Sequence, residues 1–356
     1  MRHSEPYRYT ILNLGYLKPA GILARWGLRR VSAKPERGVP LTVCVAAMYA
    51  SYAILGASDR MLTAGDVQFE PQQSKIRQLT SSIVAMIAGD SSMQEEILQN
   101  VQKDITKKIE EEPSKWVSVS DVTEFYRVRC NEARNKRSEN SILAPLGLTH
   151  STFLSQQALM NGDLIVKLAT ELINFRPPDV EAIITGIDST GAHIYVVRNS
   201  NVACQDGVGF AAIGAGYWHA NSQFMFSGHT RSHPLPETLL LAYSAKRRAE
   251  VAPGVGREGT DMFFIPNLGG YSPIGDHVLK ELSVIYKSER KKETAIEKQS
   301  RERINEYVEK ITPPPTPVTE QGAVSAPDSG GNPPADAKDV RDDAEEGKSG
   351  DKPKPD

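Results

Sequence analysis

The segment from Leu41 to Gly89 constrains the fold more than any other part of the chain. It runs Leu41-Thr42-Val43-Cys44-Val45-Ala46-Ala47-Met48, then Ala53-Ile54-Leu55-Gly56-Ala57-Ser58-Asp59-Arg60, then Ser74-Lys75-Ile76, then Ala85-Met86-Ile87-Ala88-Gly89. Short apolar runs separated by turn chemistry read as buried strands. Each of the first three carries one odd polar residue: Thr42 opens the first, Asp59 closes the second and Lys75 sits in the third. A hydroxyl, a carboxylate and an amine delivered from neighbouring strands supply what nucleophilic catalysis by an N-terminal threonine requires.

Beyond this segment, blocks of strands alternate with pairs of helices. Met93, Ile97, Val101, Ile105 and Ile109 recur at every fourth position, predicting an amphipathic helix over Ser91–Glu112 that stops at Pro113. Ser118 or Ser120 caps a second helix to about Lys136, with Val122, Phe125 and Tyr126 inward. Phe153–Asn174 is expected as a third helical stretch, with Leu164, Leu168 and Leu172 on one face. Val180–Asp188 and Ala192–Arg198 read as strands joined by the hairpin signal Asp188-Ser189-Thr190-Gly191. Phe210–Ile213 is a further strand running through Gly214-Ala215-Gly216 into a helix; Glu237–Val251 is helical and Thr260–Ile265 a strand. This order implies an α+β fold, helix layers on antiparallel sheets, rather than an alternating parallel sheet.

At 356 residues, 39% apolar and 24% charged, the chain has the composition of a globular protein with a sizeable core. A net charge of −2 gives no whole-chain argument for binding nucleic acid or a membrane surface. No apolar run approaches the ~20 residues of a membrane span. Cys44, Cys130 and Cys204 have neither CxxC nor metal-type spacing, which reads as reduced thiols in a cytosol-like compartment and a cytoplasmic protein.

The flanks differ from the 42–273 domain. Residues 1–40 hold eight Lys or Arg against Glu5 and Glu36, interrupted by prolines. Residues 1–41 read as a propeptide removed before Thr42, as a basic targeting segment, or as a mis-started extension. In that last case Leu41 marks a non-standard initiation codon read as methionine. Residues 274–312 are expected as a charged C-terminal helix with little burial, and 313–356, rich in Pro, Gly, Ala and Asp, as a disordered tail.

Several of these segments, in order, resemble the proteasome β-subunit and its bacterial relatives, the HslV-type and Anbu-type peptidases, among the N-terminal-nucleophile hydrolases. Ala57-Ser58-Asp59-Arg60 resembles the family's carboxylate-bearing second strand; Lys75 follows Asp59 by sixteen residues and Gly89 follows Lys75 by fourteen, as in the family. Gly186-Ile187-Asp188 with Gly191 and His193-Ile194-Tyr195 looks like its central hairpin, Ile213-Gly214-Ala215-Gly216 like its Gly-Ser-Gly helix start, and Glu250-x-x-Pro253-Gly254 like its Asp-x-x-Ser-Gly turn. Ala215 and Pro253 each stand where the family has a serine, and Glu250 where it has an aspartate. Thr42 to Asp59 is one residue longer than usual, which leaves open whether Ser58 or Asp59 faces the site.

The resemblance implies a four-layer αββα sandwich of two antiparallel sheets between helix layers. It implies a threonine-type peptidase or amidohydrolase that cleaves amide bonds without a cofactor or metal, in a homo-oligomeric ring. As first residue of a mature chain, Thr42 carries an α-amine of intrinsic pKa about 7.7–8.0, suited to act as general base. Lys75 disfavours protonation of that amine and stabilises charge on the hydroxyl oxygen, Asp59 holds the lysine, Glu250 orients the amine, and the Gly89 N–H receives an oxyanion. Two alternatives are a non-catalytic scaffold of the same shape and a small-molecule amidase.

Other motifs carry less. Gly254-x-Gly256-x-x-Gly259 spells a dinucleotide fingerprint but follows a helix and precedes a strand, so it reads as a loop. His219, His229 and His233 lack partners at zinc-type spacing, Cys44 reads as packed, and Lys246-Arg247-Arg248 reads as a solvated helix face. No Gly-x-x-x-x-Gly-Lys-Ser/Thr is present, so any ATPase partner is a separate chain.

Overall fold

The computed structural model describes residues 42–312, apart from 65–66 and 71–73. The expectations for residues 1–41 and 313–356 lie outside the described residues. The chain divides into two units at Ala295/Ile296. Among the described residues, the second unit is the exposed end of one helix. All that follows concerns the first.

In chain order, β1 (Cys44–Tyr49) and β2 (Ala53–Asp59) form a hairpin, followed by a small hairpin of β3 (Leu62–Ala64) and β4 (Val67–Phe69). β5 (Ile76–Gln78) and β6 (Ile83–Gly89) lead into α1 (Ser91–Glu111) and α2 (Val119–Ser138). α3 (His150–Ser155) and α4 (Gly162–Asn174) precede β7 (Val180–Asp188), β8 (Gly191–Arg198), β9 (Asn201–Cys204) and β10 (Phe210–Ile213). α5 (Tyr217–Phe226), α6 (Leu235–Ala249), β11 (Thr260–Ile265), β12 (Ser272–Pro273) and α7 (Asp276–Ile311) complete the order. The first large sheet is β10-β1-β2-β11-β12 and the second is β5-β6-β7-β8-β9. Every pairing in both is antiparallel. This is the expected α+β class.

Side-chain alternation along the strands explains why β1 and β2 read as unbroken apolar runs. Val45, Ala47, Leu55 and Ala57 pack with Phe224 of α5 and Ala242, Ala245 and Ala249 of α6. Their neighbours Cys44, Ala46, Met48 and Ile54 pack instead with Val84, Met86 and Ile183 of the second sheet. On that sheet's other face, Ile83, Ala85, Ala182 and Ile184 meet Met93, Ile97 and Val101 of α1 and Val122 and Tyr126 of α2. Both faces of each sheet are thus covered. Each large aliphatic side chain so enclosed contributes about 1.5–3 kcal/mol.

Two expectations change, and one strand lies where none is expected. The stretch Phe153–Asn174 is broken, because Thr149 and Asn161 each cap a separate helix start; of Leu164, Leu168 and Leu172 only Leu168 is buried, Leu164 being 39% exposed. β9 has no apolar signature, since all four residues are exposed at a sheet edge. The first turns of α7 are not merely a charged projection: Leu282 is buried, and Val278, Leu279 and Tyr286 pack on the α5–α6 side of the first sheet. Among the described residues, no helix is long and apolar enough to cross a membrane.

Candidate active site

Antiparallel pairing of β1 with β2 sets the start of one beside the end of the other, and Asp59 N donates to Val43 O at 3.2 Å. Thr42 therefore meets Asp59, which is fully buried. Thr42 Oγ1 donates to Asp59 Oδ1, and Lys75 Nζ, arriving from the second sheet just before β5, donates to Thr42 Oγ1. Lys75 Nζ also lies 2.9 Å from Asp59 Oδ1. Three of the five expected residues are thus in direct contact.

Asp59 is satisfied on both oxygens. Oδ1 also accepts from Val43 N at 3.0 Å, and Oδ2 accepts from Gly256 N at 2.7 Å and Met61 N at 3.2 Å. A buried ion pair persists only when such bonds offset the loss of water around the charges. Among the described residues, the buried hydroxyl of Ser58, opposite Cys44, has no hydrogen-bond partner. Asp59, not Ser58, therefore supplies the polar group at Thr42.

Thr42 is seated against the β10–α5 turn. Gly216 N donates to Thr42 O at 3.2 Å. Gly214 has φ +83°, and a Cβ there would lie 2.4 Å from Thr42 O. Glu181 of β7 accepts the Gly214 N–H at 2.8 Å and the Arg198 Nε at 3.0 Å, while Arg198 also donates to Ala212 O.

Gly89 ends β6 at φ +104°, where a Cβ would come within 2.1 Å of Asp179 O. Ile87 N donates to Lys75 O at 3.1 Å. Strand periodicity then aims the Gly89 N–H, two residues on, toward the same side of β6 as Lys75. Buried Gln94 of α1 fixes this corner, donating to Ala88 O at 2.8 Å and Glu181 O at 2.9 Å while Tyr126 Oη donates to its Oε1 at 2.7 Å. Glu250, at the end of α6, lies 2.8 Å from Lys246 Nζ and 2.9 Å from Arg247 Nη1. Among the described residues it makes no hydrogen bond to Thr42.

The loop carrying the three-glycine pattern binds carboxylates of this same chain. Besides Gly256 on Asp59, the N–H groups of Arg257, Glu258 and Gly259 donate to Glu70 at 2.6, 3.2 and 2.6 Å. An open cleft of about 690 Å³ borders the loop, lined by Met61, Phe69, Val251 and Val255 with Glu70 and Arg257. Its lining includes neither Thr42 nor Lys75. Lys246 is not on a solvated face: it is fully buried, and burial lowers its ammonium below the ordinary lysine range, opposed by Glu250. Burial likewise pushes the Cys44 thiol far above its usual range. Among the described residues, no group of three or more His, Cys, Asp or Glu is placed to hold a metal ion.

No protein-family model matches this chain, and no curated protein matches it. Sequence reasoning missed Gln94, Glu181 and Lys246. Ala242-x-x-x-Lys246-x-x-Ala249 held a signal for the last, since its spacing puts the lysine on the inward stripe of α6. Gln94 and Glu181 act through folded contacts with distant segments and carry no local pattern.

Proposed function

We propose that this chain is a threonine-type N-terminal-nucleophile hydrolase of the proteasome β-subunit type, built as a four-layer αββα sandwich and cleaving peptide or other amide bonds. The contact of Thr42 Oγ1 with both Lys75 and Asp59 is the observation that carries this reading. With Thr42 as first residue, its α-amine takes the hydroxyl proton as Oγ1 adds to the amide carbon. Lys75 stabilises the oxygen that attacks, and the Gly89 N–H receives the carbonyl oxygen as it gains charge. The α-ammonium returns the proton to the leaving amine, and water, deprotonated by the same amine, releases the acid from the Thr42 ester. On this reading the extra residue between Thr42 and Asp59 is taken up in the β1–β2 turn. There Ala50 and Ser51 take positive φ and donate to His233 O and Arg231 O. On this reading the protein forms a homo-oligomeric ring in the cytoplasm, with its sites toward an inner chamber.

The test is protein prepared to begin at Thr42, treated with a β-lactone and mapped by mass spectrometry. The expected result is one adduct on Thr42, with turnover of fluorogenic peptide amides that Thr42→Ala abolishes. A free Thr42 amine with neither adduct nor turnover overturns the reading. A non-catalytic shell of the same fold is favoured by one observation: Thr42, Asp59 and Lys75 are only 1%, 0% and 6% exposed. That alternative expects native N-terminal sequencing to find residues upstream of Thr42 retained.

A further inference from the structure

Lys246 and Glu250 lie outside the contacts made by Thr42, yet Lys246 is fully buried and held by two acceptors. Its Nζ donates to Glu250 Oε1 at 2.8 Å and to Gly256 O at 3.0 Å. The N–H of that same Gly256 donates to Asp59 Oδ2 at 2.7 Å. A buried ammonium is retained only where such partners meet it. Here one of those partners is the backbone of the residue that grips the site carboxylate. On the far side the loop is fastened by Glu70, which accepts the next three N–H groups. A Cβ at position 256 would lie 2.6 Å from Glu70 Oε1 and 3.1 Å from Asp59 Oδ2, so a side chain there crowds both carboxylates.

We infer that Lys246, supported by Glu250, is a positioning residue for Asp59, acting through the backbone of Gly256. It rests on the hydrolase reading only for its effect on turnover. Glu250 then serves the site from behind, by holding Lys246, instead of touching the Thr42 amine. Lys246→Met keeps much of the side-chain length and removes the donors. Gly256 is released and Asp59 Oδ2 loses one of its hydrogen bonds, so the carboxylate is no longer fixed beside Thr42 and Lys75.

Two measurements test this. In active protein, Lys246→Met is expected to lower kcat by about tenfold or more with KM within about twofold. Equal activity, or a loss that falls on KM with kcat unchanged, overturns the inference. The second measurement needs no turnover. In protein labelled with ¹⁵N-glycine, the Gly256 amide, assigned by its loss in Gly256→Ala, is expected to shift between wild type and Asp59→Asn. That response should vanish in Lys246→Met. A Gly256 resonance indifferent to Asp59→Asn overturns the inference even where Lys246→Met does not fold. Inactive wild type with the expected amide response sinks the hydrolase reading and leaves the role of Lys246 standing.

Discussion

Glu181 accepts the Gly214 N–H at 2.8 Å, tying a strand of the second sheet to the turn that seats Thr42 in the first. Gly214 is held at φ +83°, with no room for a Cβ beside the Thr42 carbonyl. Gly214→Ala is therefore expected to destabilise the fold by at least about 1–3 kcal/mol, from the left-handed backbone alone. Urea unfolding of the variant beside wild type measures this, and an unchanged midpoint would show that the turn does not seat Thr42 as described.

Asp59→Ala removes the acceptor of four hydrogen bonds besides that of Lys75 and leaves the lysine buried without its carboxylate. Breaking one side of a buried pair costs about 3–5 kcal/mol. Adding Lys75→Met to Asp59→Ala should recover part of that loss, because no unpaired charge then remains. A double-mutant cycle in denaturant reads the coupling, which should exceed that of an exposed pair such as Lys107–Glu111.

His229 is buried against Phe210 and Phe224, and among the described residues neither ring nitrogen has a hydrogen bond of good geometry. Burial, aided by nearby His233, lowers its pKa from the ordinary histidine value, with the Met48 and Gly209 backbone offsetting part of the shift. In the window between the folded and unfolded pKa values the unfolded chain binds the extra proton, so stability falls as pH drops through about 6.5. Below the folded pKa the contribution of this group levels off. His229→Phe should flatten that slope in melting curves taken from pH 7.5 to 5.

Cys44 and Cys130 are fully buried, while Cys204 is exposed on β9. A thiol-specific chromophore should therefore titrate one cysteine in native protein and all three in denaturant. Rapid native reaction of two or more would contradict the burial of Cys44 between the two sheets or that of Cys130 on the inner face of α2.

Much of this arrangement was legible from short-range pattern. Apolar runs bounded by turns gave β1, β2, β6, β7 and β10, and the fourfold spacing from Met93 gave α1. Ser118, read as a cap, accepts from Asp121 N at 3.0 Å. The break between α3 and α4 was not legible, because a single apolar face at helical spacing hid two caps. β9 was not legible because an exposed edge strand needs no apolar alternation.

By itself the sequence determined the strands and the odd polar residues, Thr42, Asp59 and Lys75, at or beside their ends, since periodicity and turn residues act over a few positions. Only the tertiary structure decided that Asp59 and not Ser58 meets Thr42, that Lys75 reaches them from the other sheet, and that Lys246 is buried. Gly256 meets Asp59 across 197 positions. Contacts of that span arise when sheets and helices close over a shared core, where burial makes each polar group find a partner that no local pattern specifies.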